Sequence, residues 1–122
     1  MKEEVLFLYY PVCGTCKKAK KWLAEQQIDV TERHIVEHAP TVEELSVWIG
    51  RSGLPVKKFF NTTGVLYREL NLKDKLPTMT DREQLALLAT NGKLVKRPLV
   101  VMPSKVLVGF APEAWKECLG KK

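Results

Sequence analysis

The stretch YYPVCGTCKKAKKWL, Tyr9–Leu23, decides the fold of this chain, because an apolar run gives way to a helical pattern within it. The run Glu4–Tyr10 (EVLFLYY) is continuously apolar and aromatic and is closed by a proline, which is typical of a strand buried on both faces. Over Thr15–Gln27, apolar residues recur at helical spacing among lysines. Two cysteines, Cys13 and Cys16, lie where the predicted strand ends and the helix begins.

The next segment predicts a second strand and a second helix. Ile28–Val36 is short and β-branched, and a helix that connects two strands of one sheet usually means that they are parallel. Thr41 and Glu44 have the spacing of a capping box, so a helix is expected to begin after Thr41. Gly50 and Gly53 are expected to end it.

The rest of the chain predicts a helical middle followed by a hairpin. The middle, Leu54–Thr90, has helical patterns over Val56–Asn61, Val65–Asn71 and Asp81–Ala89. Two apolar runs, LVVM and VLVGF, flank a Pro-Ser-Lys turn and predict a β-hairpin, and a last helix begins at Pro112. This order predicts an α/β fold in which helices pack on a mixed sheet.

Composition and charge narrow the classes of protein to consider. The chain has 122 residues, 45% of them hydrophobic and 28% charged, as in ordinary globular proteins. No apolar run approaches the roughly 20 residues that span a bilayer, and the start resembles no secretory leader, so we expect a cytoplasmic protein that does not contact membranes. The net charge of +6 favours anionic partners. Direct nucleic-acid binding is not predicted, because the basic residues are not interleaved with aromatic ones.

The cysteine pair is the strongest functional signal. The first turn of a helix has free N–H groups and a partial positive charge, which lower the pKa of a thiol placed there. Cys13 has that position, and Lys17 and Lys18 add positive charge. Cys16, one turn later, is placed to attack a mixed disulfide formed on Cys13. In a reducing compartment a close pair favours redox or nucleophilic chemistry over a structural disulfide.

Two other interpretations of the cysteines stay open. Cys13 and Cys16 are followed by His34 and His38, so the ligand string of a zinc site is present, although the spacing between the pairs is longer than usual. The pair can also be inert. Cys118 stands alone near the end of the chain and is either a small apolar residue or a second resolving thiol.

The chain resembles the arsenate reductase (ArsC)/Spx family, and within it most closely the arsenate-reductase-like (Spx/MgsR-related) branch with a CxxC. The stretches that carry the resemblance are Tyr9–Leu23, Phe59–Leu70 (FFNTTGVLYREL), Leu76–Val101 and Val108–Phe110. The resemblance implies a thioredoxin-like, glutaredoxin-like mixed sheet with a helical insertion between the second and third strands. It also implies one domain over residues 1–122, with a core of 1–50 and 94–120 and an insertion of 51–93.

The resemblance assigns roles to particular residues. Cys13 would be the nucleophile, and it would form a redox-active disulfide with Cys16. Arg97 would face the cysteine loop and bind an oxyanion or a partner's backbone, beside a cis Pro98. Arg68 would belong to the anion pocket, with Lys17 adding charge. No bound cofactor or metal is expected, only a thiol reductant such as glutathione, glutaredoxin or thioredoxin.

Two functions follow from the resemblance. One is a thiol–disulfide oxidoreductase of arsenate reductase type, acting on arsenate, a glutathione mixed disulfide or a protein disulfide. The other is a redox-sensing regulator that binds the RNA polymerase α-subunit. Arsenate-reducing members have one active-site cysteine and a further arginine after the hairpin, whereas this chain has a CxxC and the sequence VGFAPEAW there. No heptad pattern indicates a dimer, and we expect a monomer.

Overall fold

The computed structural model describes residues 5–119 and contains one sheet of four strands with helices on both faces. Short 3₁₀ turns at Val56–Phe59, Leu76–Thr78 and Gly92–Leu94 join some of the helices. The strands are β1 Leu6–Tyr9, β2 Thr31–His34, β3 Leu99–Val101 and β4 Val106–Val108. The α-helices are α1 Gly14–Glu25, α2 Val42–Ser52, α3 Val65–Glu69, α4 Leu72–Lys75, α5 Asp81–Thr90 and α6 Pro112–Leu119.

The strand order is β2-β1-β3-β4. β1 pairs with β2 in parallel, as expected for a strand–helix–strand unit, and with β3 in antiparallel register that places Leu8 opposite Leu99. β3 and β4 form the predicted hairpin. The mixed sheet with flanking helices confirms the predicted fold class, including the helical insertion between β2 and β3.

Alternating side chains of the central strands separate two apolar clusters. Phe7 and Val100 pack with α1 and α6, together with the indole of Trp115. Leu8 and Leu99 face the opposite side and pack with α2 and the helical insertion. Because a strand directs successive side chains to opposite faces, both faces of β1 are buried, as its continuous apolar run predicts.

Several predicted boundaries differ from the observed ones. The second strand is shorter than predicted, because Ile28 and Val30 pack against the α1–α6 cluster before the pairing with β1 begins. Gly50 does not end α2 and lies within it, so that prediction is wrong; the helix ends at Gly53, whose φ of +72° suits a residue without a Cβ. The start of the predicted first strand, Glu4, lies outside the described residues.

The predicted capping box is confirmed. The Thr41 hydroxyl accepts a hydrogen bond from the Glu44 amide at 3.1 Å, and the Glu44 carboxylate accepts one from the Thr41 amide at 3.0 Å. Thr80 and Glu83 form a second capping box at the start of α5. Within residues 5–119, no helix is long and apolar enough to cross a membrane.

An ion pair ties β2 to α2. The Arg33 guanidinium donates to both oxygens of the Glu44 carboxylate, at 2.7 and 2.8 Å, and also to the carbonyls of His38 and Ala39. It lies 5.8 Å from the ring of Trp48. The hydrogen bond from Arg33 is the main reason that the pKa of Glu44 falls to about 2 from its ordinary value of 4.5.

This pair predicts an acid-sensitive contribution to stability. A carboxylate whose pKa is lower in the folded protein stabilises the fold above pH 4.5, and the contribution is lost as the pH falls towards 2. Because the pair is partly exposed and screened by solvent, Glu44→Gln should lower the free energy of unfolding at neutral pH by about 1 kcal/mol. It should also flatten the decrease in stability below pH 4.5, as measured by denaturant unfolding at a series of pH values.

Glu43→Gln is the matched control, because Glu43 is an exposed carboxylate in the same helical turn. It should keep the steep acid dependence of the wild type. An acid dependence unchanged by Glu44→Gln would contradict this account of the pair.

Candidate active site

Cys13 occupies the residue before α1, at the carboxyl end of β1. Its backbone is extended, with φ −83° and ψ 119°, and its amide donates to the Tyr10 carbonyl at 2.9 Å. Its own carbonyl accepts the Lys17 amide at 3.1 Å and so begins the helical hydrogen bonds. The loop therefore holds the half-buried Cys13 thiol at the amino end of the helix, as the sequence predicts.

The pKa of Cys13 is lower than its ordinary value. Burial is the largest single influence and acts in the opposite direction, because it disfavours the thiolate. It is outweighed by hydrogen bonds from the amide and the thiol of Cys16, together with the charge and the donors of Arg97. The Cys16 amide belongs to the first turn of α1, so its hydrogen bond to the Cys13 sulfur is the pKa-lowering effect expected for a thiol at a helix N-terminus. No described acidic residue of the first helical turn opposes it.

Cys16 has the opposite character. It is buried, with 2% of its surface exposed, and burial raises its pKa to about 12. The Tyr10 amide donates to its sulfur at 3.5 Å, which lowers the pKa but does not offset the burial. Both cysteines are free thiols in this structure. The pair thus joins an accessible, acidic thiol to a buried thiol that keeps its proton.

Arg97 reaches this loop from β3. The register that pairs Leu8 with Leu99 brings the residues before β3 alongside Tyr10. The Arg97 guanidinium lies 4.9 Å from the Tyr10 ring, and its Nη1 donates to the Lys93 carbonyl at 3.3 Å. Its buried Nε has no hydrogen-bond partner among the described residues. The peptide bond between Arg97 and Pro98 is cis.

A cleft of about 410 Å³ opens in front of the Cys13 thiol. Its lining includes two cationic residues and two polar residues of the helical insertion, and it contains no acidic residue among those described. The polar and charged residues of the lining are Cys13, Thr15, Asn61, Thr63, Lys96 and Arg97. Phe110, at the end of the hairpin, adds an apolar wall. Such a cleft accommodates a small anionic or polar group next to the thiol.

A short backbone contact brings the insertion into the cleft. Phe60 forms an isolated antiparallel bridge with Val95, and the Asn61 amide donates to the Leu94 carbonyl at 2.7 Å. Asn61 therefore lies opposite the segment that leads to Arg97. A Cβ on Gly64 would lie 2.7 Å from the Asn61 amide nitrogen, so glycine at 64 makes room for this side chain.

The structure brings some of the predicted residues together and separates others. Cys13, Cys16 and Arg97 meet at one loop, whereas Arg68 is exposed on α3 and does not line the cleft. Lys17 lines a different hollow, next to Cys16. Pro98, the residue after Arg97, is buried. The roles of all these residues in catalysis or anion binding stay predictions.

The zinc interpretation finds no support in the arrangement of ligands. The His34 ring nitrogen Nδ1 accepts hydrogen bonds from the amides of Val36 and Glu37, at 3.2 and 3.0 Å. Among residues 5–119, no three His, Cys, Asp or Glu side chains converge as a metal site would require. Cys118 packs against the α1–α6 cluster, and Lys105 Nζ lies 3.8 Å from its sulfur, outside the cleft lining.

The sequence analysis did not predict four polar residues of the cleft lining, Thr15, Asn61, Thr63 and Lys96. Asn61 lies in the FFNTTG segment that carries the family resemblance, so the resemblance could have indicated it as a cleft residue. Lys96 directly precedes Arg97, and nothing in a lysine-rich sequence distinguishes it. The bridge between Phe60 and Val95 is a non-local contact, and no local pattern signals it.

A cysteine of lowered pKa at a helix N-terminus, a buried second thiol and an arginine beside a cis-proline lie together on a thioredoxin-like fold. The chain belongs to the ArsC family, whose pattern matches residues 8–118. It is 54% identical to the uncharacterized protein YusI of Bacillus subtilis, over 91% of this chain and 94% of that protein. It is 34% identical to the regulatory protein MgsR of the same organism, over 92% of this chain and 87% of that protein.

A solved structure supports the same assignment. The crystal structure of an ArsC family related protein from Bacteroides fragilis is 68% identical and superposes with a TM-score of 0.92. The match covers 93% of this chain and 96% of that one. The family and fold stated from the resemblance in the sequence are therefore confirmed.

The cleft geometry predicts which arginine controls the Cys13 thiol. Arg97→Gln should raise the pKa of Cys13, because it removes a charge and donors that favour the thiolate. Arg68→Gln should leave that pKa unchanged, because Arg68 lies outside the cleft. The measurement is the pH dependence of alkylation, with Cys118→Ser as the common background. An equal effect of the two substitutions would contradict this assignment.

Cys16 should be the least reactive of the three cysteines. Because its pKa is about 12 and it is almost completely buried, its thiolate is scarce and inaccessible at neutral pH. In Cys13→Ser, alkylation followed by peptide mass analysis should label Cys118 well before Cys16. Labelling of Cys16 at a similar rate would show that the loop opens readily in solution.

Proposed function

We propose that this protein is a thiol–disulfide oxidoreductase in which Cys13 attacks the substrate and Cys16 resolves the product. The observation that carries the proposal is the contrast between the two thiols. Cys13 is accessible and has a lowered pKa, whereas Cys16 is buried and has a pKa of about 12. A nucleophile must be accessible and must form a thiolate readily, as Cys13 can. A thiol that acts only after a mixed disulfide has formed can be buried and protonated until then, as Cys16 is.

The first step is attack by the Cys13 thiolate on one sulfur of a substrate disulfide. A bond forms between the Cys13 sulfur and that sulfur, and the substrate S–S bond breaks. The other substrate sulfur leaves as a thiolate and takes a proton from solvent. Lys96 and Arg97 line the cleft at this thiol, so carboxylates of a glutathione-like substrate would find opposite charge there.

In the second step, Cys16 attacks the mixed disulfide and releases the rest of the substrate as a thiol. Once Cys13 is in a mixed disulfide its negative charge is gone, which removes one influence that raises the pKa of Cys16. The Cys16 thiol loses its proton to the departing thiolate or to solvent and attacks the Cys13 sulfur. The mixed disulfide breaks, a Cys13–Cys16 disulfide forms, and the substrate has gained two electrons. A dithiol or glutathione reductant returns the pair to thiols.

Arsenate is a second substrate class for the same site. Cys13 would displace an oxygen of arsenate as water, and attack by Cys16 on the resulting thiol ester would release arsenite and form the disulfide. The arsenic gains the two electrons that the cysteines lose. The cleft has Asn61 and Lys96 beside Arg97, but no arginine from the segment after the hairpin. We therefore expect disulfides to be reduced faster than arsenate.

Glutathione disulfide distinguishes the two cysteine roles. Reduced wild-type protein should end with an intramolecular disulfide and two released glutathione molecules. Cys16→Ser should instead accumulate one glutathione on Cys13, because nothing resolves the adduct. Mass spectrometry of the quenched protein and its peptides measures both products.

Cys118→Ser is the matched control and should behave like the wild type, because Cys118 lies outside the cleft lining. Cys13→Ser should show no turnover above background with glutathione disulfide or arsenate, in the presence of thioredoxin or glutaredoxin and their reductants. Glutathione found mainly on Cys118, or a Cys16→Ser protein that turns over normally, would overturn the proposal.

A redox-sensing regulator is the second candidate. It is favoured by the 34% identity to the regulatory protein MgsR across 92% of the chain. The Val12 side chain next to Cys13 is 72% exposed, so an apolar contact for a partner protein lies beside the redox pair. In this function the Cys13–Cys16 disulfide would change the conformation of the loop that a partner protein contacts, and no catalytic turnover would be needed.

This candidate predicts redox-dependent binding to the RNA polymerase α-subunit. Reduced and oxidised protein should differ in affinity for purified α-subunit in a pull-down, and the difference should vanish in Cys13→Ser. Absence of binding in both redox states would exclude the candidate and leave the enzyme proposal untouched.

A further inference from the structure

The two cations of the cleft in front of Cys13 differ in how far their charges are already engaged. The Arg97 guanidinium lies over the Tyr10 ring, donates to the Lys93 carbonyl and acts on the Cys13 thiol. Within residues 5–119, the Lys96 ammonium forms no ion pair and no side-chain hydrogen bond. Lys96 is also not among the groups that lower the pKa of Cys13. Its charge is therefore free to act on a ligand.

The backbone of Lys96 is held by the helical insertion. Its amide donates to the Phe59 carbonyl at 2.7 Å, next to the bridge between Phe60 and Val95. These contacts fix the point from which the side chain extends. Lys96 is half-buried, whereas Lys93, three residues earlier, is exposed and lies outside the cleft lining. A cation on a fixed backbone loses less freedom when it binds a ligand.

A glycine of the hairpin leaves room for the Lys96 side chain at the cleft. A Cβ built on Gly109 would lie 3.1 Å from Lys96 Cε, so the lysine runs over bare backbone there. That backbone is itself held in place. The Gly109 amide donates to the Pro98 carbonyl at 2.9 Å, and its carbonyl accepts the Trp115 indole N–H at 3.1 Å. Both sides of the contact between Lys96 and Gly109 are thus fixed by the fold.

The residue after this glycine supplies an apolar wall of the cleft. The Phe110 ring packs edge-on against Trp115, with 4.9 Å between the ring centroids, and against Trp22 at 6.2 Å. Opposite charges attract more strongly beside an apolar wall than in open water. The cleft therefore combines the Cys13 thiol with an apolar surface and an unpaired cation, within the described part of the chain.

We propose that Lys96 is a specificity-determining residue, which binds a carboxylate of a small acidic disulfide while Cys13 attacks its sulfur. This inference rests on the oxidoreductase function proposed above. It narrows the substrate class to disulfides of low-molecular-weight thiols that carry a carboxylate, of which glutathione disulfide is the probe. A neutral disulfide would leave the ammonium unused, and a cationic one would be repelled by Lys96 and Arg97.

Lys96 takes no part in the bond changes themselves. The Cys13 sulfur bonds to one glutathione sulfur, the S–S bond breaks, and the other glutathione leaves as a thiolate that takes a proton from solvent. Because Lys96 does not lower the pKa of Cys13, its removal should weaken the hold on an acidic disulfide without changing the reactivity of the thiol. Arg97→Gln, in contrast, should change the thiol itself.

The test compares three oxidants of the full chain in a Cys16→Ser background, which stops at the mixed disulfide. They are anionic glutathione disulfide, neutral hydroxyethyl disulfide and cationic cystamine, and mass spectrometry of quenched samples gives each second-order rate constant. Lys96→Gln should lower the rate constant with glutathione disulfide about fivefold, roughly the effect of one partly exposed charge pair. It should raise the rate constant with cystamine and leave both that with hydroxyethyl disulfide and the pKa of Cys13 unchanged.

Two further variants control for net charge and for structure. Lys93→Gln removes the same charge at an exposed position outside the cleft lining, so it should react like its parent with all three oxidants. Lys96→Arg keeps a cation in the cleft and should restore most of the rate with glutathione disulfide. Esterifying the carboxylates of glutathione disulfide tests the same contact from the ligand, and it should slow the parent more than Lys96→Gln.

Three outcomes would overturn this inference and leave the oxidoreductase proposal intact. They are an equal effect of Lys96→Gln on all three oxidants, equal effects of Lys96→Gln and Lys93→Gln, and a pKa of Cys13 that rises in Lys96→Gln as it should in Arg97→Gln. A Cys13 that forms no mixed disulfide with any of the three oxidants would instead overturn the oxidoreductase proposal, and this inference with it.

Discussion

The antiparallel register between β1 and β3 is the constraint on which the rest of the site depends. It pairs Leu8 with Leu99, so the end of β1 and the start of β3 lie side by side at one end of the two central strands. β1 leads into the cysteine loop and β3 is preceded by Arg97, which packs on the ring of Tyr10. Buried side chains on both faces hold this register, because a slip by one residue would exchange the two apolar faces.

The two thiols differ because the same loop gives them different environments. Cys13 precedes the helix, where free amides and Arg97 stabilise its thiolate. Cys16 lies one turn further on, in the apolar layer beneath the loop, where burial stabilises its thiol. A single strand-to-helix transition therefore provides both an activated and a protected cysteine. The helical insertion contributes Asn61 and Thr63 to the cleft, so it belongs to the site as well as to the core.

Local patterns in the sequence were sufficient for the cysteine loop, the capping box at Thr41 and the hairpin, because each depends on neighbouring residues. The order of the elements predicted the mixed sheet, and the family resemblance supplied the cis-proline and the approach of Arg97 to the loop. Asn61 and Lys96 were not found, because the bridge between Phe60 and Val95 that places them is non-local. Arg68 was expected in the anion pocket because the family resemblance implies it, and the structure places it exposed on α3, outside the lining of the cleft.

The measurement that tests the central claim most directly is a pH titration of the reduced wild-type protein, followed by NMR of isotope-labelled cysteine Cβ resonances. The account predicts that Cys13 titrates below the ordinary thiol range and that Cys16 stays protonated until far into the alkaline range, near its pKa of about 12. Two cysteines that titrate together near the ordinary value of 9.0 would contradict it, because the loop would then provide no division between nucleophile and resolving thiol.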